Sequence, residues 1–230
     1  LNLNVTKQWA ADQALGILNK DFKSELSTES VKVNFFGDVT IQGLKIKDYK
    51  GFEFIKAKEL RANSDWIKLI TGAIKGQSNS LSFNSIALDQ ADIKVITYKG
   101  DSISNFIRYI ELYDSGKPRD PKKPPFQLDA RVNISNSKVS IINQNKPGDA
   151  GQWLLADHVN LKAPSVKVNG PNISAKLNNF SFITERWGKK HIVDTFSTEL
   201  SLTKEFLSLK DLTLKTDHSL LQGDLKFNLN

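Results

Sequence analysis

The stretch from Ser30 to Trp66 leaves this chain few ways to fold. Val31, Val33 and Phe35 alternate with Lys32 and Asn34; Val39 and Ile41 alternate with Asp38, Thr40 and Gln42; Leu44 and Ile46 alternate with Lys45 and Lys47. A period of two over this length specifies strands with one apolar face and one wet face. Gly37-Asp38 and Lys50-Gly51 fall where the chain must reverse. Gly43 falls where the apolar phase slips from odd to even numbers, which a β-bulge explains. The stretch predicts a meander of three strands.

The alternation recurs downstream. Strands are predicted at Ser80 to Leu88, with a turn at Asp89-Gln90, and at Ile93 to Thr97. Beyond Phe126 nearly everything reads as strand. Leu128, Ala130, Val132 and Ile134 alternate, and Asn136-Ser137 is expected to turn into Val139 and Ile141. Runs at Leu155 to Leu161, Val166 and Val168, Ile173 to Phe182, Ile192 to Leu202, and Leu207 through Asp211 to Leu214 follow. Turns fall at residues 145–151, at Gly170-Pro171 and at residues 187–190. The last run, Leu221, Gly223, Leu225, Phe227 and Leu229, alternates to the end. Strands spaced by roughly 8–12 residues predict a long antiparallel sheet that curls on itself. Natural sheets rarely leave a long flat edge bare, so the sheet is expected to continue in further residues.

Three segments change to a helical period. Ala11, Ala14, Leu15, Leu18 and Phe22 make one stripe of an amphipathic helix from Thr6 to Lys23, with Thr6 as N-cap. A short helix is predicted from Asp65 to Ala73, capped by Ser64, and another from Ser104 to Tyr113 with Phe106, Ile107, Ile110 and Tyr113 on one face. A proline- and lysine-rich loop at residues 114–125 divides the chain. Residues 1–125 hold the first helix, the first meander and two short helices; residues 126–230 continue the antiparallel groove, cut off in mid-sheet.

Composition narrows the chemistry. The absence of Cys removes disulfides, thiol nucleophiles and thiolate metal sites together. With Leu at position 1 and no Met, the chain reads as a processed or excised piece. The net charge of +7 is spread among acids and fills the wet faces of strands, and no aromatic–basic motif for nucleic acid assembles. No apolar run approaches the ~18 residues that cross a bilayer. His158, His191 and His218 lie far apart without metal-ligand spacing, and phosphate-loop, nucleophile-elbow and dinucleotide-binding motifs are all missing. No catalytic residue, cofactor or metal is expected, and the chain reads as a non-enzyme.

The order of a helix, then VKVNFFGDVTIQGLKIKDYKGFEFIKAKELRAN, then DWIKLI, then LSFNSIALDQADIKVITYKGDSISNFIRYI resembles the amino-terminal periplasmic region of the TamB family, in the wider AsmA-like group, as found in Bacteroidota. FLSLKDLTLKTDHSLLQGDLKFNLN is similar to the family's recurrent strand unit. The resemblance covers essentially the whole chain and rests on pattern and order. It implies a U-shaped sheet with its apolar face inward, a β-taco. It implies a periplasmic location in a Gram-negative bacterium, with an upstream anchor in the inner membrane. It also implies passage of phospholipid acyl chains along the groove and, through a region downstream, contact with an outer-membrane barrel of the Omp85 type (TamA-like or BamA-like), in lipid transport or outer-membrane protein assembly. Val33, Phe35, Ile41, Phe83, Val95, Val132, Ile134, Phe182, Leu209 and Phe227 are the residues expected to line such a groove. Alternation alone cannot tell a groove from a closed core. The competing reading is a secreted β-rich adhesion or carbohydrate-binding module.

Overall fold

A computed structural model describes residues 26–34, 38–64, 80–113, 127–170, 172–186 and 188–228. The predicted helices at Thr6 to Lys23 and Asp65 to Ala73, the proline-rich loop and Phe35 lie outside them. The described chain is mainly β: one open, curled sheet of eleven strands and a single α-helix. The strands are β1 (Leu26–Ser27), β2 (Ser30–Val33), β3 (Asp38–Lys47), β4 (Glu53–Ser64), β5 (Ser80–Thr97), β6 (Gln127–Asn143), β7 (Gln152–Asn169), β8 (Asn172–Arg186), β9 (Lys189–Leu202), β10 (Phe206–Thr216) and β11 (Leu220–Asn228), with α1 (Asn105–Tyr113) between β5 and β6. From β3 onward, order in the sheet is order in the chain, and β1 and β2 lie end to end along the free side of β3. Among the described residues the two outer edges do not meet, so this is not a barrel.

The predicted meander is present as β2, β3 and β4. Gly43 is left-handed at φ +62°, but it is not the expected bulge: the register runs unbroken across it from Gln42↔Glu59 to Leu44↔Ala57, so the phase slips without an inserted residue. Two other expected turns are not turns. β5 and β6 run unbroken through Gln90 and Asn136, and β10 runs through Asp211 as expected, all three residues near φ +50°. These residues tolerate the left-handed region better than β-branched ones, and that tolerance serves a bend within a strand as well as a turn. The two predicted strands at Ser80–Leu88 and Ile93–Thr97 are therefore one strand of 18 residues. At ~3.3 Å per residue such a strand is about 59 Å long, three times the usual strand.

One neighbour pair is parallel. β5 and β6 run the same way from Ser80↔Gln127 to Thr97↔Asn143, where an all-antiparallel order was expected. A parallel pair needs a crossover, and residues 98–126, with α1, supply it. The pairing also joins the two halves of the chain on either side of the proline-rich loop in one sheet. α1 forms as predicted. The Ser104 hydroxyl accepts the Ile107 N–H at 3.3 Å, a side-chain N-cap.

Left-handed residues and register shifts are arranged in lines across the sheet. Gly43, Gln90, Asn136 and His158 (φ +52°) lie in β3, β5, β6 and β7, and Asp89↔Ser135 and Asp92↔Lys138 set Gln90 beside Asn136. The line continues as register shifts at Phe180/Phe182 between β8 and β9 and at Lys215/Thr216 between β9 and β10. A second line runs through Ala130/Val132, Leu177/Phe180 and Asp211. Side chains take up the backbone groups loosened there. Ala91 N–H donates to Ser137 Oγ (2.9 Å), Ser137 Oγ–H to the Ser135 carbonyl (2.7 Å), Asn136 N–H to Asn160 Oδ1 (3.2 Å), and Asp211 N–H to Asp224 Oδ1 (2.8 Å).

The left-handed backbone at these positions makes their responses to substitution opposite. A Cβ at Gly43 would meet the Glu29 side chain as well as an unfavourable φ. Gly43→Ala is expected to destabilise by about 1–2 kcal/mol, whereas Gln90→Gly, which relieves the same strain, should stay within about 0.5 kcal/mol of the parent despite glycine's entropy. Urea unfolding of the two variants measures the difference.

Candidate functional site: the apolar face of the sheet

Register shows what these lines accomplish. Val31 pairs with Ile41, Ile41 with Leu60, Leu60 with Leu88, and Leu88 with Ile134. The row continues through Leu161, Phe180, Phe196 and Leu214 to Leu221. Every strand from β2 to β11 places one apolar residue in it. In most of these strands a left-handed residue or a register shift lies just beyond the row, and there the alternation changes phase, so apolar residues stay on the same face above and below the line. The cluster of Ile41, Leu44, Ala57 and Ala91, with Leu60, Leu88, Ile46 and Ile93 against it, crosses the line without a break.

Two more rows run parallel towards the other end. One joins Ala130, Val166, Ala175, Leu200, Leu209 and Leu225. The other joins the backbone position of Leu81 to Leu128, Val168, Ile173, Leu202, Leu207 and Phe227. The opposite face is wet. Lys45, Lys56, Asp92 and Lys138 form one of its rows, with Lys138 on Asp157 at 2.9 Å. That carboxylate's hydrogen bond raises the Lys138 pKa.

Burial on the apolar face is uneven. Ala57, Ala62, Ala91, Ala130, Ala156, Ala163 and Ser137 are buried, and so are Ile41, Leu44, Val159, Val168, Val193 and Leu212. Other large side chains, including Leu60, Leu88, Ile134, Leu161, Phe180 and Leu209, are only half-buried. Small residues let a curling sheet close up where they lie, and the half-buried large ones stay accessible. Among the described residues, substantial packing runs between neighbouring strands and from α1 to β5, and no second sheet faces this surface.

The residues predicted to line the groove are distributed accordingly. Ile41 is buried in the central row, and Ile134 is half-buried in the same row. Val132 pairs with Ile86 and Ala163, Val95 with Ile141, Leu209 with Leu200 and Leu225, and all three are half-buried. Phe182 pairs with Val193, and its ring lies 4.9 Å from Phe180. Phe227 ends the lower row, 49% exposed. For Val33 and Phe83 the backbone positions are described: opposite Val39 and opposite Ser64. Sequence reasoning missed Leu60, Leu88, Leu161, Phe180, Phe196, Leu214 and Leu221 as members of one row. Counting across the changes of phase would have found them.

One end of the sheet is closed by a polar–aromatic cluster that was not foreseen. Asp48, buried in the turn between β3 and β4, accepts the N–H groups of Lys50 (2.9 Å) and Phe52 (3.1 Å) on Oδ1. On Oδ2 it accepts the Tyr98 hydroxyl and Asn105 Nδ2 (3.1 Å). Asn105, fully buried at the start of α1, also donates to the Lys94 carbonyl and accepts the Ile96 N–H. Its amide thus extends the β5 ladder past the last β4 pair, Ile55↔Ile93. Phe54 stacks on Phe106 and Tyr109 of α1, while its neighbour Ile55 belongs to the apolar row with Ile46 and Ile93. In the unbroken end of β5, Tyr98 shares the side of Asp92 and Lys94 and bonds Asp48, which holds Asn105, so α1 covers the wet face and leaves the apolar face free. Beside this, the Tyr49 hydroxyl donates to Asp101, which also pairs with Lys50 Nζ at 2.8 Å. The Lys50 and Tyr49 hydrogen bonds hold the Asp101 carboxyl below its usual range.

The described His, Asp and Glu residues form no group of three that could hold a metal ion. No protein-family model matches the chain, and no curated protein matches it.

Burial, followed by the hydrogen bond to Asp101, pushes the Tyr49 pKa up to about 12; burial and the bond to Asp48 raise Tyr98 as well. The unfolded tyrosines ionise near pH ~10. A raised folded pKa gives a contribution to stability that is complete below about pH 10 and is lost as pH climbs towards the folded value. Stability is expected to fall from about pH 10 upward. Tyrosinate absorbance should show Tyr49 and Tyr98 titrating late, and Tyr98→Phe should remove part of the late fraction. Asp48→Ala, which strands several buried donors, is expected to cost about 2–4 kcal/mol in chemical unfolding.

Proposed function

We propose that this chain is a TamB-like, AsmA-like periplasmic segment that carries phospholipid acyl chains along the apolar face of its sheet. The observation that supports this best is the row of apolar residues spanning β2 to β11, much of it half-buried, with no facing sheet among the described residues. Each methylene moved from water onto such a surface contributes roughly 0.8 kcal/mol, so an acyl chain is held without any specific contact. The headgroup stays in solvent, and no residue has to react. In this reading an anchor upstream holds the chain in the inner membrane, and a region downstream meets an Omp85-type barrel. Whether the cargo serves lipid transport or outer-membrane protein assembly, the sheet's part is the same: a surface without pockets of defined shape, suited to chains that differ in length.

Two measurements test the proposal. Mass spectrometry of lipids extracted from the purified chain should find phospholipid near stoichiometric amounts. A photo-crosslinker at Ile134 should capture lipid in cells, and one at the exposed Asn133, on the wet face, should not. A lipid-free protein with no capture at Ile134 defeats the proposal and leaves the adhesion or carbohydrate-binding module standing.

A further inference from the structure

The exposed large apolar side chains are not scattered. Phe52, Phe106, Trp153, Leu155, Leu220 and Leu221 all lie towards one end of the sheet, where β3, β5, β6, β8 and β10 finish. Phe52 is 58% exposed, Trp153 54% and Leu220 62%. Among the described residues the other member of this class, Phe227, lies near the opposite end.

The same end is basic. Lys99, Lys146, Lys189 and Lys190 are exposed there. Lys146 Nζ lies 5.5 Å from the Trp153 ring, and Lys50 lies 4.5 Å from that of Tyr98. Several of the acids are engaged: Asp48 is buried and hydrogen-bonded, Asp101 is paired with Lys50, and Glu53 is 4.0 Å from Lys94. Asp149 and Glu185 are exposed there as well, and Asp217 lies 3.5 Å from His218 Nε2. The loops are also tied to one another. Gly100 N–H donates to Asn145 Oδ1 (2.8 Å), Asn145 Nδ2 to the Asp101 carbonyl (2.9 Å), and Gln144 N–H to the Thr97 carbonyl (2.8 Å). Bared side chains on a fixed frame bind without a large ordering cost.

We propose that this end of the sheet is a bilayer-contact surface that docks on a membrane containing anionic phospholipid. Aromatic rings and leucines enter the interfacial layer, where amphipathic and aromatic side chains are favoured. The lysines beside them meet the headgroup phosphates, and each lysine near an anionic surface strengthens binding about fivefold. Charge selects this occupant over a second copy of the chain, whose matching end would bring lysine against lysine. The docking surface shares only Leu221 with the row that forms the acyl-chain groove, and it stands whether or not that groove carries lipid.

Flotation of the full chain with phosphatidylglycerol/phosphatidylcholine vesicles and with phosphatidylcholine vesicles tests it. Binding to the anionic vesicles is expected, with much weaker binding to the neutral ones. Lys146→Glu/Lys189→Glu/Lys190→Glu should weaken it at least about tenfold, as should Phe52→Ser/Trp153→Ser. Lys162→Glu/Lys167→Glu/Lys204→Glu makes the same change of net charge away from this end and should weaken it less than about threefold. Circular dichroism and the unfolding midpoint confirm that each variant is folded. The proposal is overturned by an equal loss in the control triple, which would reduce binding to net charge. Equal binding to neutral vesicles, no binding at all, or a dimer in sedimentation that Phe52→Ser/Trp153→Ser dissociates would also overturn it. Lipid capture at Ile134 reads the groove separately, so either proposal can fail alone.

Discussion

A sheet with one oily side and, among the described residues, no facing sheet has to manage that side by its own shape, and the rest of this architecture follows from that constraint. Strands three times the ordinary length cannot stay straight and in phase. The chain solves both problems at the same positions. A line of left-handed residues bends the sheet and, in the same step, returns the apolar positions to their side. Gly43, Gln90, Asn136 and His158 are chemically unlike, yet they occupy equivalent places because the backbone requirement is shared by the strands. The small side chains of Ala57, Ala91 and Ser137 fill the bend.

The face opposite has a different task. Salt bridges such as Lys138–Asp157 and Lys176–Glu199 lie in solvent and contribute little to stability, but they keep a wide flat surface hydrated. Where this face does need cover, at the end of β4 and β5, α1 supplies it. The helix is held by buried polar groups, Asp48, Tyr98 and Asn105, whose donors and acceptors match one another. Such a network fixes a position more sharply than apolar contact does, because a shifted helix would leave buried amides unpaired.

Much of this was legible in the sequence. Alternation identified the strands and their apolar sides, and the register sets Ile134, Val132, Val95, Leu209 and Phe227 opposite other apolar residues. The phase slip at Gly43 marked a left-handed residue, though not the inserted one that a bulge requires. The readings that failed share a cause. Asp89-Gln90 and Asn136-Ser137 look like turns because a turn and a bend within a strand ask the same thing of a residue, a positive φ, and local sequence does not say whether the chain reverses afterwards. The parallel pairing of β5 with β6 depends on a crossover of some thirty residues, and neither strand carries a mark of its partner's direction. The cluster around Asp48 unites residues some fifty positions apart, each ordinary by itself.

The antiparallel run from β6 to β11 has a modular consequence. A hairpin duplicated within it would leave all later strands pointing as before and would widen the sheet by about 9–10 Å, two strand spacings. The crossover at β5 and β6 has no such freedom, because moving it reverses everything downstream. The span of this surface is therefore quantised: it is a ruler that evolution can lengthen two graduations at a time, with one fixed zero.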